Sequence, residues 1–149
     1  MNAMNPNPIP RRIRDLMTPS PKTVTPATTV GDAYLLMTEG NFRHLPVVAD
    51  GRVVGMLSDR DIFRHMPPPA AQNTPDHGRF VNQPVGTLMS RPVLSVSPDE
   101  PIETAADVML TEHVSALAVT GADGRLVGVV TLSDLARFAG WLIRSLPLP

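Results

Sequence analysis

No cysteine occurs in this chain, so neither a disulfide nor thiolate chemistry can carry its function. This is compatible with a reducing cytoplasm, which is the expected location. A surplus of one charge is also missing: 13 basic residues almost cancel 14 acidic ones, for a net charge of -1. Nucleic-acid binders concentrate positive charge, so no nucleic-acid partner is expected. No apolar run reaches the roughly 20 residues that a bilayer requires. The closing "FAGWLIRSLPLP" is interrupted by Arg144 and reads as a helix end packing on a neighbouring surface, so no membrane association is expected. The opening "MNAMNPNPIP" has three prolines and no apolar stretch, which argues against a secretory signal and for a loose tail.

Catalytic signatures are equally scarce. There is no "GxSxG" elbow, no "GxxxxGK" phosphate loop and no carboxylate pair isolated in an apolar setting, so no enzyme is expected. His65, Asp76 and His77 match no ligand spacing, and no metal site is expected. What remains is a chain of 149 residues, 42% hydrophobic, suited to one domain with a single buried interior.

Self-similarity organises it. Leu16, Met17, Val24 and Pro26 recur 72 positions later as Leu88, Met89, Val96 and Pro98. Ala33, Met37, Leu45 and Val47 return as Ala105, Met109, Leu117 and Val119. After one inserted residue, "GRVVGMLSDRDIFR" lies over "GRLVGVVTLSDLAR" at a spacing of 73. The chain is a duplication.

Each copy predicts β-α-β-β-α, an α+β unit too small to be stable alone. A short strand around Thr23, Val24 and Thr25 precedes a helix carrying Val30, Ala33 and Met37 on one face, with Ile102, Ala105 and Met109 as the second set. Thr29 and Asp32 are placed as a capping pair, and Gly40 as the helix stop. "HLPVV" and "RVVGMLS" flank the turn "ADG", and "ALAVT" and "RLVGVVT" flank "GADG", each a β-hairpin. The final helices are expected to open at the cap residues Asp59 and Ser133. Met37, Met56, Met89 and Met109 read as core, and Gly55 and Gly128 as points of close backbone approach or bulging. The expected division is a tail over 1–12, repeats over 13–66 and 85–140, a proline-rich solvated connector over 67–84, and a tail over 141–149.

The paired openings "LMT" and "LMS", the segment "HLPVV", and above all "VGMLSDRDI" and "VGVVTLSDL" resemble tandem CBS-domain proteins, whose two repeats form a Bateman module. The likeness covers about residues 13 to 140. It implies two copies packed with pseudo-twofold symmetry into one module, and a regulatory role in place of catalysis.

A hydroxyl at a strand end, three residues before an acid at a helix start, sets both beside unpaired backbone N–H groups. Such a corner suits a nucleotide: the carboxylate accepts from ribose hydroxyls, and the hydroxyl and helix end face phosphate. Asp61 and Asp134 are the ribose candidates, and Ser58 and Thr131 the phosphate-side candidates. A capped helix stabilised by an acid in its first turn accounts for the same residues without a ligand.

The resemblance implies two clefts between the repeats. In one, Asp134, Thr131 and Ser133 face Thr18, Lys22, Thr23, Phe42, Arg43 and His44. In the other, Asp61, Ser58 and Arg60 face Ser90, Leu94, Ser95, Val114, Ser115 and Ala116, with Arg64 nearby. Lys22, Arg43 and His44 would add nitrogen donors to the Asp134 cleft and direct polyphosphate there. The expected function is a sensor of adenine nucleotides such as AMP, ADP or ATP, with or without Mg, and no required cofactor. Other adenosyl ligands (S-adenosylmethionine, a cyclic dinucleotide or NAD) and a ligand-free dimerisation scaffold are the alternatives. A homodimer and an effector protein are the expected partners.

Overall fold

The computed structural model describes residues 9–146. The outer parts of both expected tails, 1–8 and 147–149, lie outside the described residues. The first repeat contains β1 (Thr18–Pro19), α1 (Val30–Gly40), β2 (His44–Ala49), β3 (Arg52–Ser58) and α2 (Asp59–His65). A connector helix, α3 (Pro75–Val81), leads to β4 (Ser95–Val96), α4 (Ile102–Glu112), β5 (Ala116–Thr120), β6 (Leu126–Thr131) and α5 (Leu132–Ser145). The mixed α+β, two-repeat module expected from the sequence is the one observed.

Local chemistry explains the elements. α1 starts where the Thr29 hydroxyl accepts the Asp32 N–H at 3.1 Å. It stops one residue later than expected: Gly40 is still helical, and Asn41 takes the left-handed conformation at φ 53, which asparagine tolerates. The stripe Val30, Ala33 and Met37 is buried, as is Ile102, Ala105 and Met109 on α4. Both hairpins form, β2 antiparallel to β3 and β5 to β6. Met56, expected in the core, is only partly buried.

The opening segment of each repeat crosses to the other. Ile13 is wholly buried in a cluster with Val96, Ala105, Met109, Leu117, Val119 and Val130 of the second repeat. Val85, Leu88 and Met89 are buried among Val30, Leu45, Val47 and Leu57 of the first. The crossing completes both sheets: β1 pairs with β6, with Thr18 opposite Val129, and Ser90 bridges Met56 of β3. The strand expected at Thr23 to Thr25 is a single parallel bridge from Val24 to Val47, whereas its counterpart β4 pairs with β5 over two residues.

Glycine makes the crossing possible. A Cβ at Gly55 would lie 2.3 Å from the Met89 sulfur, and one at Gly128 would lie 2.6 Å from the Met17 sulfur. Each repeat thus leaves a gap in its strand for the other's methionine, opposite a register shift in the facing strand.

The connector is not the plain solvated link that its prolines suggest. Pro75 starts α3 at a position where its missing N–H is harmless. Phe80 is buried in the first repeat's core, and the Gln83 carbonyl accepts the Val30 N–H at 2.9 Å. At the other end, residues 141–145, expected as tail, continue α5. Arg11, also expected as tail, accepts the Ile102 N–H on its carbonyl at 3.1 Å.

Candidate functional site

Each hairpin ends in the same corner. The Ser58 N–H and hydroxyl donate to Asp61 Oδ2 at 2.8 and 2.7 Å, and the Asp61 N–H returns to the hydroxyl at 3.1 Å. Thr131 and Asp134 repeat this at 2.8, 2.8 and 3.3 Å. Both are capping boxes in which acid and hydroxyl satisfy each other across one helical turn. The caps are therefore Ser58 and Thr131, not Asp59 and Ser133, because the extended backbone falls at the hydroxyl residue.

Two expectations change with this geometry. The hydroxyls assigned to phosphate already donate to their own acids. The helix starts also carry fewer unpaired donors than anticipated, since the Asp59 N–H goes to the Arg43 carbonyl and the Leu132 N–H to the Ser115 carbonyl. Among the described residues, Arg60 and Ser133 are left as the first-turn N–H groups without a partner.

The structure brings several candidates together. Thr18 lies beside Val129, two residues before Thr131, and Ser90 lies beside Met56, two before Ser58. Each acid corner thus has the other repeat's opening segment against its strand. Lys22 and Thr23 are exposed and lead into Val24, whose N–H reaches the Pro46 carbonyl at 3.1 Å. Leu94 and Ser95 occupy the equivalent place against Ala118 of β5. Phe42 packs on the first core, over Gly40, while Leu94 and Val114 pack on the second. Ala116 is buried opposite Thr131, and Arg60, Arg64 and Ser133 are exposed.

His44 and Ser115, assigned to different clefts, touch: His44 Nε2 lies 3.0 Å from Ser115 Oγ, tying the repeats together. Burial lowers the His44 pKa from its ordinary value of 6.5, outweighing the opposing pull of Asp59. The same burial works against the charged imidazole that a phosphate contact would use. Arg43 pairs through Nε with Asp59 Oδ2 at 3.1 Å. Of the three nitrogen donors expected at the Asp134 cleft, only Lys22 has no partner among the described residues.

Arg137 escaped the sequence reading. Its Nη2 donates to Asp134 Oδ1 at 2.6 Å, occupying the oxygen that Thr131 leaves open. Asp61 Oδ1 accepts no hydrogen bond among the described residues, although Arg64 holds the equivalent place. The spacing Asp-x-x-Arg was visible in both copies and could not tell them apart. Among the described residues no three histidine or acidic side chains converge on a metal site, and no helix is long and apolar enough to cross a membrane.

This fold and this pair of corners define a class: a duplicated α+β module of interlocked halves, each ending its hairpin in an acid corner whose strand is flanked by the other half's opening segment. Residues 13–68 and 85–140 both match the CBS domain, and the chain belongs to the CBS-domain family. The CBS domain-containing protein YhcV of Bacillus subtilis is 36% identical over 83% of this chain and 82% of its own length. CBSX2 of Arabidopsis thaliana, solved in complex with AMP, is similar at 31% identity and a TM-score of 0.72, covering 89% of this chain and 98% of that one. The CBS domain pair of protein MJ0100, solved with 5′-methylthioadenosine and S-adenosyl-L-methionine, has a TM-score of 0.75 and 27% identity over 91% of this chain and 99% of its own. Several enzymes are matched too, over a quarter of their own length or less.

Proposed function

We propose that this protein is a regulatory module that binds an adenosyl ligand, foremost an adenine nucleotide such as AMP, between its two repeats. The observation that carries this reading is the duplicated corner: Ser58 with Asp61 beside Ser90, and Thr131 with Asp134 beside Thr18. Each acid is held by backbone and hydroxyl donors at a junction of the two repeats, so a ribose diol there would touch both halves. Two similar CBS pairs are solved with AMP or with methylthioadenosine and S-adenosylmethionine, which supports the ligand class. Binding that bridges the halves favours one relative arrangement over another, and that difference is what a sensor transmits.

One observation favours the ligand-free scaffold: each capping box accounts for its hydroxyl and one acid oxygen with no ligand. Thermal unfolding with AMP, ADP, ATP, with or without Mg, and S-adenosylmethionine separates the readings. A true ligand at 100 times its dissociation constant adds about 2.7 kcal/mol of stability. No shift with any of them selects the scaffold.

The reading carries a homodimer and an effector protein with it. Leu110 of α4 and Leu132, Ile143 and Leu146 at α5 are exposed in the single chain, an apolar surface that a second copy would cover; sedimentation tests this. Adenine nucleotides are held inside cells, so the working location is the cytoplasm. No catalysis is proposed.

A further inference from the structure

We propose that Arg137 is the selectivity residue of the Asp134 cleft, a latch that holds back uncharged ribosides and yields to those carrying a phosphate. The proposal rests on the adenosyl-ligand reading above and deepens it.

Asp134 is only 9% exposed, and its Oδ2 is consumed by the Thr131 N–H and hydroxyl. Oδ1 is the oxygen left to meet a diol, and the Arg137 guanidinium sits on it at 2.6 Å. A ribose diol that grips Asp134 through Oδ1 therefore competes with Arg137 for that oxygen, which has room for one further donor while the guanidinium stays in place. The arginine side chain is 75% exposed, so it can swing off without opening the core.

The charge balance then decides who enters. An uncharged nucleoside takes the carboxylate's second oxygen and strips Arg137 of its counter-charge, returning nothing. A nucleoside phosphate takes the same oxygen and brings an anion, which receives the released guanidinium with charge-assisted hydrogen bonds. Specificity here comes from what the wrong ligand leaves unpaired. At the other corner Arg64 makes no bond to Asp61, so a riboside there displaces nothing. One molecule thus holds a selective cleft and a permissive one.

Titration calorimetry with AMP and adenosine tests this in an Asp61→Asn background, which keeps an oxygen for the cap while disabling the permissive cleft. Binding at the remaining cleft should favour AMP over adenosine by about fivefold, and adding Arg137→Gln should bring the two within about twofold, with adenosine gaining as AMP loses its partner. Arg137→Lys should keep much of the discrimination, since it keeps the charge. An unchanged AMP-to-adenosine ratio in Arg137→Gln overturns the proposal. So does a ratio that collapses through loss of AMP alone, which would make Arg137 a phosphate contact and not a latch. If the unmodified chain binds neither AMP nor adenosine, the nucleotide reading itself falls; if it binds but Asp61→Asn binds neither, only the latch does.

Discussion

The first and second repeats are built on one pattern and end in the same acid corner, yet their surroundings have diverged. The first core draws in Phe80 from the connector as well as Val85, Leu88 and Met89 from the other copy's opening, and leaves Asp61 with one oxygen uncommitted. The second core receives Ile13 from across the seam, leaves much of α5 uncovered, and pairs both oxygens of its acid. The corner persists because it is a contact across three residues of one chain segment. What distinguishes the two corners lies around them, in the connector, in the opening segments from across the seam and in an arginine one helical turn on that covers one acid and not the other.

The largest test of that comparison is Phe80→Ala, which should cost about 3–5 kcal/mol in urea unfolding if the connector belongs to the first core. A cost near zero would return it to a solvated linker. Next, Ile13→Ala and Leu117→Ala should each cost about 2–5 kcal/mol, although the first lies in the sequence of one repeat and the second in the other. Tyr34 and Trp141, the single tyrosine and single tryptophan, report on separate repeats. Their fluorescence should follow one shared transition, and two separated transitions would break the picture of interlocked halves.

Smaller effects sharpen it. Ser58→Ala and Thr131→Ala should each lose about 1 kcal/mol, because both remove a cap hydroxyl, and calorimetric melting would detect unequal losses. His44 gives the pH test. Its folded pKa lies below the ordinary 6.5, so the unfolded chain binds more protons between those two values. Stability is then full above about 6.5 and falls as pH drops through that window toward the folded pKa. His44→Gln should flatten the fall in denaturant titrations at stepped pH. The smallest effect belongs to Arg43→Ala: its partner Asp59 is largely sheltered, but the arginine is 74% exposed, so the change should stay within about 1 kcal/mol.

Much of this architecture was legible in advance. The 72-residue recurrence marked two units, apolar runs on either side of turn residues marked the hairpins, and a three-residue stripe marked the buried faces of α1 and α4. The cap was misplaced by one residue at Ser58 and by two at Thr131, because serine, threonine and aspartate all cap helices and only the backbone angle separates them. Phe80 was overlooked inside a proline-rich stretch whose composition reads as solvent-exposed. The expected preference for the Asp134 cleft rested on counting cations, and Arg43 and His44 each engage one nitrogen with Asp59 or Ser115, contacts that a count of charges does not register.

What the chain's letters alone determined, beyond the duplication itself, is local pattern: apolar runs around turns, helical stripes, and an acid three places after a hydroxyl. Those follow from backbone geometry and need no distant partner. The tertiary structure alone decided that Met17 and Met89 fill each other repeat's glycine gap, that His44 meets Ser115, and that Arg137 covers its acid while Arg64 does not. Most of these join groups 34, 71 or 111 positions apart. Where both partners sit on one helix, as at Arg137, identical spacing yields opposite outcomes, because spacing sets only which side chains can meet and a long exposed side chain has several rotamers to choose from.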